Sequence, residues 1–311
     1  MALKDTESDR FDPESPIWGD FVDSDCEIDV EDSCEPIDRY EEGLYYPICI
    51  GDVLARRYRI EHKLGHGGFS TESEYHVQKD IISAVRDRSH LLTYIDTFVL
   101  PGAANFRHRV LIFPLLGPNL ETYAPSTSTA TRRSAAKQLL KAIKALHDGG
   151  FVHRDLNSAN VMFGLKPFKN GTNTTTKYEA LKRPQKLPLP TNQPMWKEGQ
   201  MVTPIVPKED LVEPNIALGD FGLAIPSGTP VDFKIQSPAI YCAPERLHKI
   251  DPSFASDIWS YMLIFAELYL GYPVFCGARY VLVLELMVRM LGALPPSWKG
   301  SYDAGGEVDE K

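Results

Sequence analysis

Cysteine is scarce and scattered: five in 311 residues, at positions 26, 34, 49, 242 and 276, with no C-x-x-C pair and no metal-ligand spacing. That excludes a disulfide framework and a zinc cluster, and it fits free thiols in a reducing compartment, cytoplasmic and/or nuclear. Long apolar runs are missing too. The most apolar stretch, Ser260 to Phe275, is interrupted by Glu267 and falls short of the ~20 residues that a membrane span needs. It reads as a core helix, with no transmembrane segment. The N-terminus has no apolar region, so no secretory signal peptide is expected. Positive charge is in deficit, giving a net −9, but unevenly: residues 1–42 hold 16 Asp and Glu against 3 Lys and Arg, and the remainder is mildly positive at +4. Such a body carries no nucleic-acid footprint. The acidic head, 1–42, cannot bury enough apolar surface to order itself and is expected to be disordered, a candidate arm for basic partners.

What is present begins near Tyr45. Tyr58 to Leu64 alternates like a strand and leads into Gly65-His66-Gly67-Gly68-Phe69-Ser70. Glu74 to Arg86 reads as a helix with Val77, Ile81, Ile82 and Val85 on one face. Arg109 to Phe113 is a short buried strand stopped by Pro114. Thr131 to His147 repeats Ala135, Leu139, Ile143 and Leu146 at helical spacing and ends at Gly149-Gly150. Val161-Met162-Phe163 and Ile216-Ala217-Leu218 are two further short strands. Between them Gly164–Asn215 is rich in Pro, Lys, Thr and Asn without sustained periodicity, and reads as an inserted, mostly irregular loop.

Three strings carry the chemistry, in this order: His153-Arg154-Asp155-Leu156-Asn157-Ser158-Ala159-Asn160, then Asp220-Phe221-Gly222, then Ala243-Pro244-Glu245. They resemble the H-R-D-L-x-x-x-N, D-F-G and A-P-E elements of eukaryotic protein kinases. Asp257-Ile258-Trp259-Ser260 follows where that family places the central helix of its large lobe. The resemblance implies an α+β, bilobal kinase fold: a small β-rich N-lobe at about 43–113, a helical C-lobe at about 117–311, and 164–215 as a spacer inserted in the latter. A spacer between the catalytic loop and D-F-G, with Tyr40 to Pro47, Gly51-Asp52-Val53-Leu54 and Ile235-Gln236-Ser237, resembles the fungal SR-protein kinase-like group. Serine/threonine phosphorylation of protein substrates, Arg/Ser-rich splicing factors among them, is what that resemblance implies.

Carried over by motif, Asp155 is the expected base, and Asn160 and Asp220 the expected ligands of Mg²⁺, which favours oxygen donors. Leu64, Gly65, Gly67, Phe69 and the hinge residue Leu116 are the expected ATP contacts. Glu74, His153, Arg154, Phe221, Gly222, Glu245 and Asp257 are expected to support or regulate the site, His153 and Phe221 by packing, Arg154 by pairing with an activation-segment phosphate on Thr229 or Ser237. Asp257 is expected to hold the catalytic-loop backbone.

The sequence also departs from the pattern. Gly65 and Glu74 are 9 residues apart, where kinases use roughly forty for two strands and the phosphate-pairing Lys. Lys63 and Lys79 are not natural substitutes. Strands beside the gap are expected to lack hydrogen-bond partners. Asn157 stands where Ser/Thr kinases have a Lys that steadies the transferring phosphate. The final helices, with the Arg that pairs with Glu245, are expected to be missing, leaving Leu263, Phe265 and Leu286 uncovered. Two alternatives to a working kinase therefore stay open: a pseudokinase that binds partners without turnover, and an incomplete gene-model fragment.

Overall fold

The computed structural model describes residues 18–23, 35–64, 71–103, 106–169, 171–190, 195–235 and 237–298. The fold is α+β, built of short strands and longer helices. In chain order, β1 (Asp20–Phe21), the short helix α1 (Asp38–Glu41), β2 (Val53–Leu54) and β3 (Tyr58–Arg59) come first. Then follow α2 (Thr71–Ala84), β4 (Asp96–Pro101), β5 (Arg107–Ile112), β6 (Leu116–Asn119), α3 (Leu120–Tyr123) and α4 (Thr129–Asp148). After β7 (Phe151–Val152) and β8 (Val161–Leu165) come α5 (Thr174–Leu181), β9 (Gln185–Pro188) and β10 (Gln200–Val202). The chain closes with β11 (Val212–Leu218), β12 (Ile225–Pro226), α6 (Phe254–Leu270) and α7 (Tyr280–Leu291).

Two compact units result: 1–67 with 101–108 and 168–208, and 68–100 with 109–167 and 209–311. Residues 168–208 of the spacer fall in the same unit as the N-terminal residues.

In the first unit the spacer is folded, not irregular. Asn173 caps α5 by accepting from the Thr176 N–H at 2.8 Å, and β9 pairs with both β10 and β1. Elements of eight, four and three residues are too short to leave a period in the sequence, and their partners lie more than a hundred positions away. The described parts of the acidic head share this structure. Asp20 and Phe21 run parallel to Gln185 and Lys186, Arg183 Nε donates to Asp20 Oδ2 at 2.7 Å, and Tyr40 is buried. Gly19 is required there: its φ is +70°, and a Cβ would sit 2.8 Å from the Pro184 carbonyl oxygen. Only Tyr58–Arg59 of the expected 58–64 strand is regular. The edge near Lys63 is not left open, as expected from the missing strands; Lys63 bridges Pro204, and its carbonyl accepts the Ile205 N–H at 2.9 Å.

In the second unit the apolar periodicity does what it announced. Ser128 caps α4, accepting from Thr131 N at 3.1 Å, and Ala135, Leu139, Ile143 and Leu146 are all buried. Ile81 of α2 and Val85, just past its end, reach the same core, and Val77 packs against it. β11, β8 and β6 form an antiparallel sheet, with Ile216, Ala217 and Leu218 opposite Phe163, Met162 and Val161. β4 and β5 form a two-stranded sheet. The helix expected from Ser260 starts earlier, at Phe254, and stops at Gly271, whose φ of +86° no continuing helix adopts. The expected uncovered face is partly covered: Leu263 is buried and Leu286 packs on the core, whereas Phe265 is 38% exposed.

Candidate active site

The catalytic motif lies between β7 and β8, so two strand ends fix both ends of the loop. Its scaffold is Asp257, in the first turn of α6 and 1% exposed. Asp257 Oδ2 accepts the His153 backbone N–H at 2.7 Å, and Oδ1 accepts that of Arg154 at 3.0 Å. His147 Nε2, at the end of α4, lies 2.9 Å from the same Oδ2. A buried carboxylate is costly without donors, and these three supply them.

His153 then links this loop to the D-F-G segment. Its Nδ1 accepts from Asp155 N at 3.3 Å, which makes Nε2 the protonated nitrogen, and Nε2 donates to the Gly219 carbonyl at 3.0 Å. Its ring is tilted against that of fully buried Phe221, centroids 5.3 Å apart. Gly219 N donates to the Asn160 carbonyl at 2.9 Å. The two ends of the loop, His153 and Asn160, thus both hold Gly219, the residue before the D-F-G string.

Asp155 sits buried at the middle. Asn160 Nδ2 donates to Asp155 Oδ2 at 3.1 Å and to its carbonyl at 2.9 Å; Asn157 Nδ2 donates to Oδ1 at 3.1 Å. Burial pushes the Asp155 carboxyl above its usual range, and the negative Asp220 adds to the rise. Asp220 has a φ of +56° and accepts a long bond from Gly222 N at 3.4 Å.

This donor set fits a hard divalent cation. Asn160 spends its amide nitrogen on Asp155, which leaves its amide oxygen as an acceptor, and among the described residues the Asp220 carboxylate has a single weak internal bond. A cation there would relieve the repulsion between Asp155 and Asp220. The phosphate side fits less well. Glu74, on α2, accepts from Gln78 Nε2 at 2.7 Å, and burial raises its carboxyl, with Asp220 contributing. No ion pair of Glu74 with a cation occurs among the described residues. Lys63 pairs with Glu35 in the first unit.

The remaining expected residues divide. Gly65, Gly67 and Phe69 lie outside the described residues. Leu64 belongs to the first unit and is exposed. Leu116 opens β6 opposite Gly164. Arg154, with a φ of +73°, donates to the carbonyls of Leu223 and Phe233 at 3.3 and 3.0 Å. Burial first, then the nearby Arg246, lowers its guanidinium to about 10. Ser237 is buried and Thr229 half-buried. Glu245 is half-buried and has no ion pair among the described residues; burial raises its carboxyl.

Sequence reasoning missed one network. Ser158 Oγ, Tyr241 Oη and Glu267 Oε2 lie within hydrogen-bond distance of one another, the carboxylate oxygen 2.9 Å from Ser158 Oγ and 2.7 Å from Tyr241 Oη, and the two hydroxyl protons serve two of the three contacts. Burial first, and the Glu267 carboxylate with it, raise the Tyr241 hydroxyl far above its ordinary value, against the opposing effect of Ser158. Glu267, read in sequence only as an interruption, therefore ties the catalytic loop to the A-P-E segment and α6. A lone carboxylate in an apolar helix is the signal that announces such a network.

No protein-family model matches the chain. Curated relatives do. Dual specificity protein kinase CLK1 of Homo sapiens is 26% identical over 290 residues, covering 82% of this chain and 53% of the relative. Serine/threonine-protein kinase AFC1 of Arabidopsis thaliana is 25% identical over 280 residues, covering 81% and 56%. These relatives are protein kinases, and their similarity to this chain supports the eukaryotic protein kinase superfamily. Serine/threonine-protein kinase spk-1 of Caenorhabditis briggsae is more alike, 31% identical, but over 174 residues, 44% of this chain and 15% of the relative. The chain spans about half the length of the human and Arabidopsis relatives. No helix among its described residues is long and apolar enough to cross a membrane.

Proposed function

We propose that this kinase-superfamily chain catalyses Mg-ATP-dependent phosphorylation of serine or threonine in protein substrates. The observation that carries the reading is the grip on Asp155, whose two carboxylate oxygens are each held by an amide, 3.1 Å away, beside the cation-fitting pair Asn160 and Asp220. Bound Mg-ATP supplies the phosphoryl group and the positive charge that neutralises its oxygens. Asp155 orients the substrate hydroxyl and takes its proton as the oxygen–phosphorus bond forms and the bond to the departing ADP breaks. Burial favours this, since a raised carboxyl is a better base near neutrality. Asn160 and Asp220 would hold the metal through oxygen. Leu64, Gly65, Gly67, Phe69 and Leu116 are proposed to contact the nucleotide.

The proposed substrate class is Arg/Ser-rich protein, which rests on the entry sequence and the spacer. The test is transfer of radiolabelled phosphate from ATP to an Arg/Ser-repeat peptide and to a control with Arg replaced by Gln, with Asp155→Ala alongside. Transfer to the basic peptide, abolished by Asp155→Ala, supports the reading; no transfer with wild type contradicts it.

A binding scaffold without turnover is the second reading, and Glu74 favours it. Its carboxylate meets an amide where a working site has a lysine. Losing one preorganised charge costs about 10²–10³ in rate, so slow transfer is the expected result.

A further inference from the structure

Asn157 looks in sequence like an eroded position, a neutral amide where the resemblance expects a phosphate-steadying lysine. The structure gives it four hydrogen bonds. Its Nδ2 donates to Asp155 Oδ1 at 3.1 Å and to the Asp155 carbonyl at 3.2 Å. Its Oδ1 accepts the backbone N–H groups of Ala159 at 3.0 Å and Asn160 at 3.2 Å. The backbone is extended, φ −152° and ψ 165°, and the side chain caps the short turn Ser158–Asn160. Asn157 is 6% exposed.

We propose that Asn157 is a positioning residue, which fixes the base Asp155 and the metal-ligating Asn160 to one another through a single carboxamide. The side-chain chemistry admits few alternatives. Two donated and two accepted bonds need an N–H group and a carbonyl on one short arm. Aspartate offers acceptors only and sets a second negative charge beside Asp155. Lysine offers donors only, so the N–H groups of Ala159 and Asn160 lose their acceptor. Leucine offers neither.

Asn160 completes the arrangement from the far end of the turn. Its Nδ2 takes the other carboxylate oxygen, Oδ2, and the same Asp155 carbonyl. Rotation of the Asp155 carboxylate about its final torsion is therefore blocked from both sides, while each oxygen keeps a lone pair for a substrate hydroxyl. Residues 155–160 are organised by hydrogen bonds within the loop, in which no lysine takes part.

The catalytic consequence rests on the phosphoryl-transfer reading; the structural one does not. Misplacing a reacting group by about 1 Å costs on the order of 10²-fold in rate. Asn157→Asp, which keeps the cap and removes the donor, is expected to lower kcat by about 10–10²-fold and to leave KM for ATP within about twofold. Asn157→Lys is expected to lower kcat as well, whereas an eroded lysine site would regain rate.

The experiment combines that kinetic comparison with amide exchange in ¹⁵N-labelled protein, wild type and both variants, each checked for a cooperative thermal transition. The Asn160 side-chain amide is expected to be protected from exchange in wild type and to lose that protection in Asn157→Asp, while the Ala159 N–H stays protected. A wild-type kcat in Asn157→Asp, or a gain in Asn157→Lys, overturns the proposal. Wild type that transfers no phosphate contradicts the kinase reading; the exchange data then decide alone. Protection lost in Asn157→Asp upholds the positioning role, and an unprotected Asn160 amide in wild type overturns it.

Discussion

Asp257 and His153 are 104 residues apart in sequence, and the Asp257 carboxylate accepts the His153 backbone N–H at 2.7 Å. With Arg154 N and His147 Nε2 on the same carboxyl group, this one side chain sets where the catalytic loop begins.

Removing it strands buried donors. Asp257→Ala is expected to destabilise the second unit by about 3 kcal/mol, read from the urea midpoint. Asp257→Asn keeps an acceptor for one of the two loop N–H groups and is expected to cost less. A loss below about 0.5 kcal/mol for Asp257→Ala contradicts this assignment.

How much of this was legible in the sequence depended on the distance over which the signal acts. Asp155, Asn160, Asp220 and Asp257 sit in short strings of fixed chemistry, and the structure gathers them in one unit. The faces of α2 and α4 were readable because a repeat of three to four residues persists over several turns. The spacer was not readable. Its elements are short, and its stability comes from Asp20, Ile48, Ile50 and Lys63, which no local window around 168–208 contains. Asn157 was misread because its type was compared with a pattern, while its role depends on accepting and donating together.

The β2–β3 connection carries strain. Arg57 N donates to the Leu54 carbonyl at 3.0 Å across a two-residue turn in which Ala55 and Arg56 have φ of 48° and 54°. Both central residues in the left-handed region make a type I′ turn, which favours Asn-Gly. Arg56→Gly is expected to raise stability by about 1 kcal/mol in thermal or urea unfolding. An unchanged or lowered midpoint counts against the turn.

The head–spacer pairing depends on one glycine. Gly19→Ala faces both a positive φ and a 2.8 Å approach to the Pro184 carbonyl oxygen. Hydrogen exchange at Asp20 N and Val22 N, which donate to the Pro184 and Lys186 carbonyls at 2.9 and 3.0 Å, is expected to quicken at least tenfold. Unchanged exchange rates in that variant would mean that β1 is not anchored this way.

Glu245 gives a pH signature. Burial raises its carboxyl above the ordinary value of 4.5. A carboxyl raised by folding gives its full stability below the unfolded value and loses it as pH rises through the folded one. Glu245→Gln is thus expected to gain stability over wild type as pH climbs from 4 to 7, by a few degrees in Tm on the order of a 1 kcal/mol effect. A Tm difference that stays flat across that range contradicts the assignment.

The central claim is that the Asn160–Asp220 pair takes a metal-bound nucleotide although no lysine pairs with Glu74 among the described residues. The most direct measurement is a thermal-unfolding scan with Mg-ATP, with ATP plus chelator, and with Asp220→Ala. Ligand at a hundred times its Kd adds about 2.7 kcal/mol. A rise of several degrees with Mg-ATP, lost on chelation and in Asp220→Ala, is the predicted result. No rise in wild type, or an equal rise in Asp220→Ala, contradicts it.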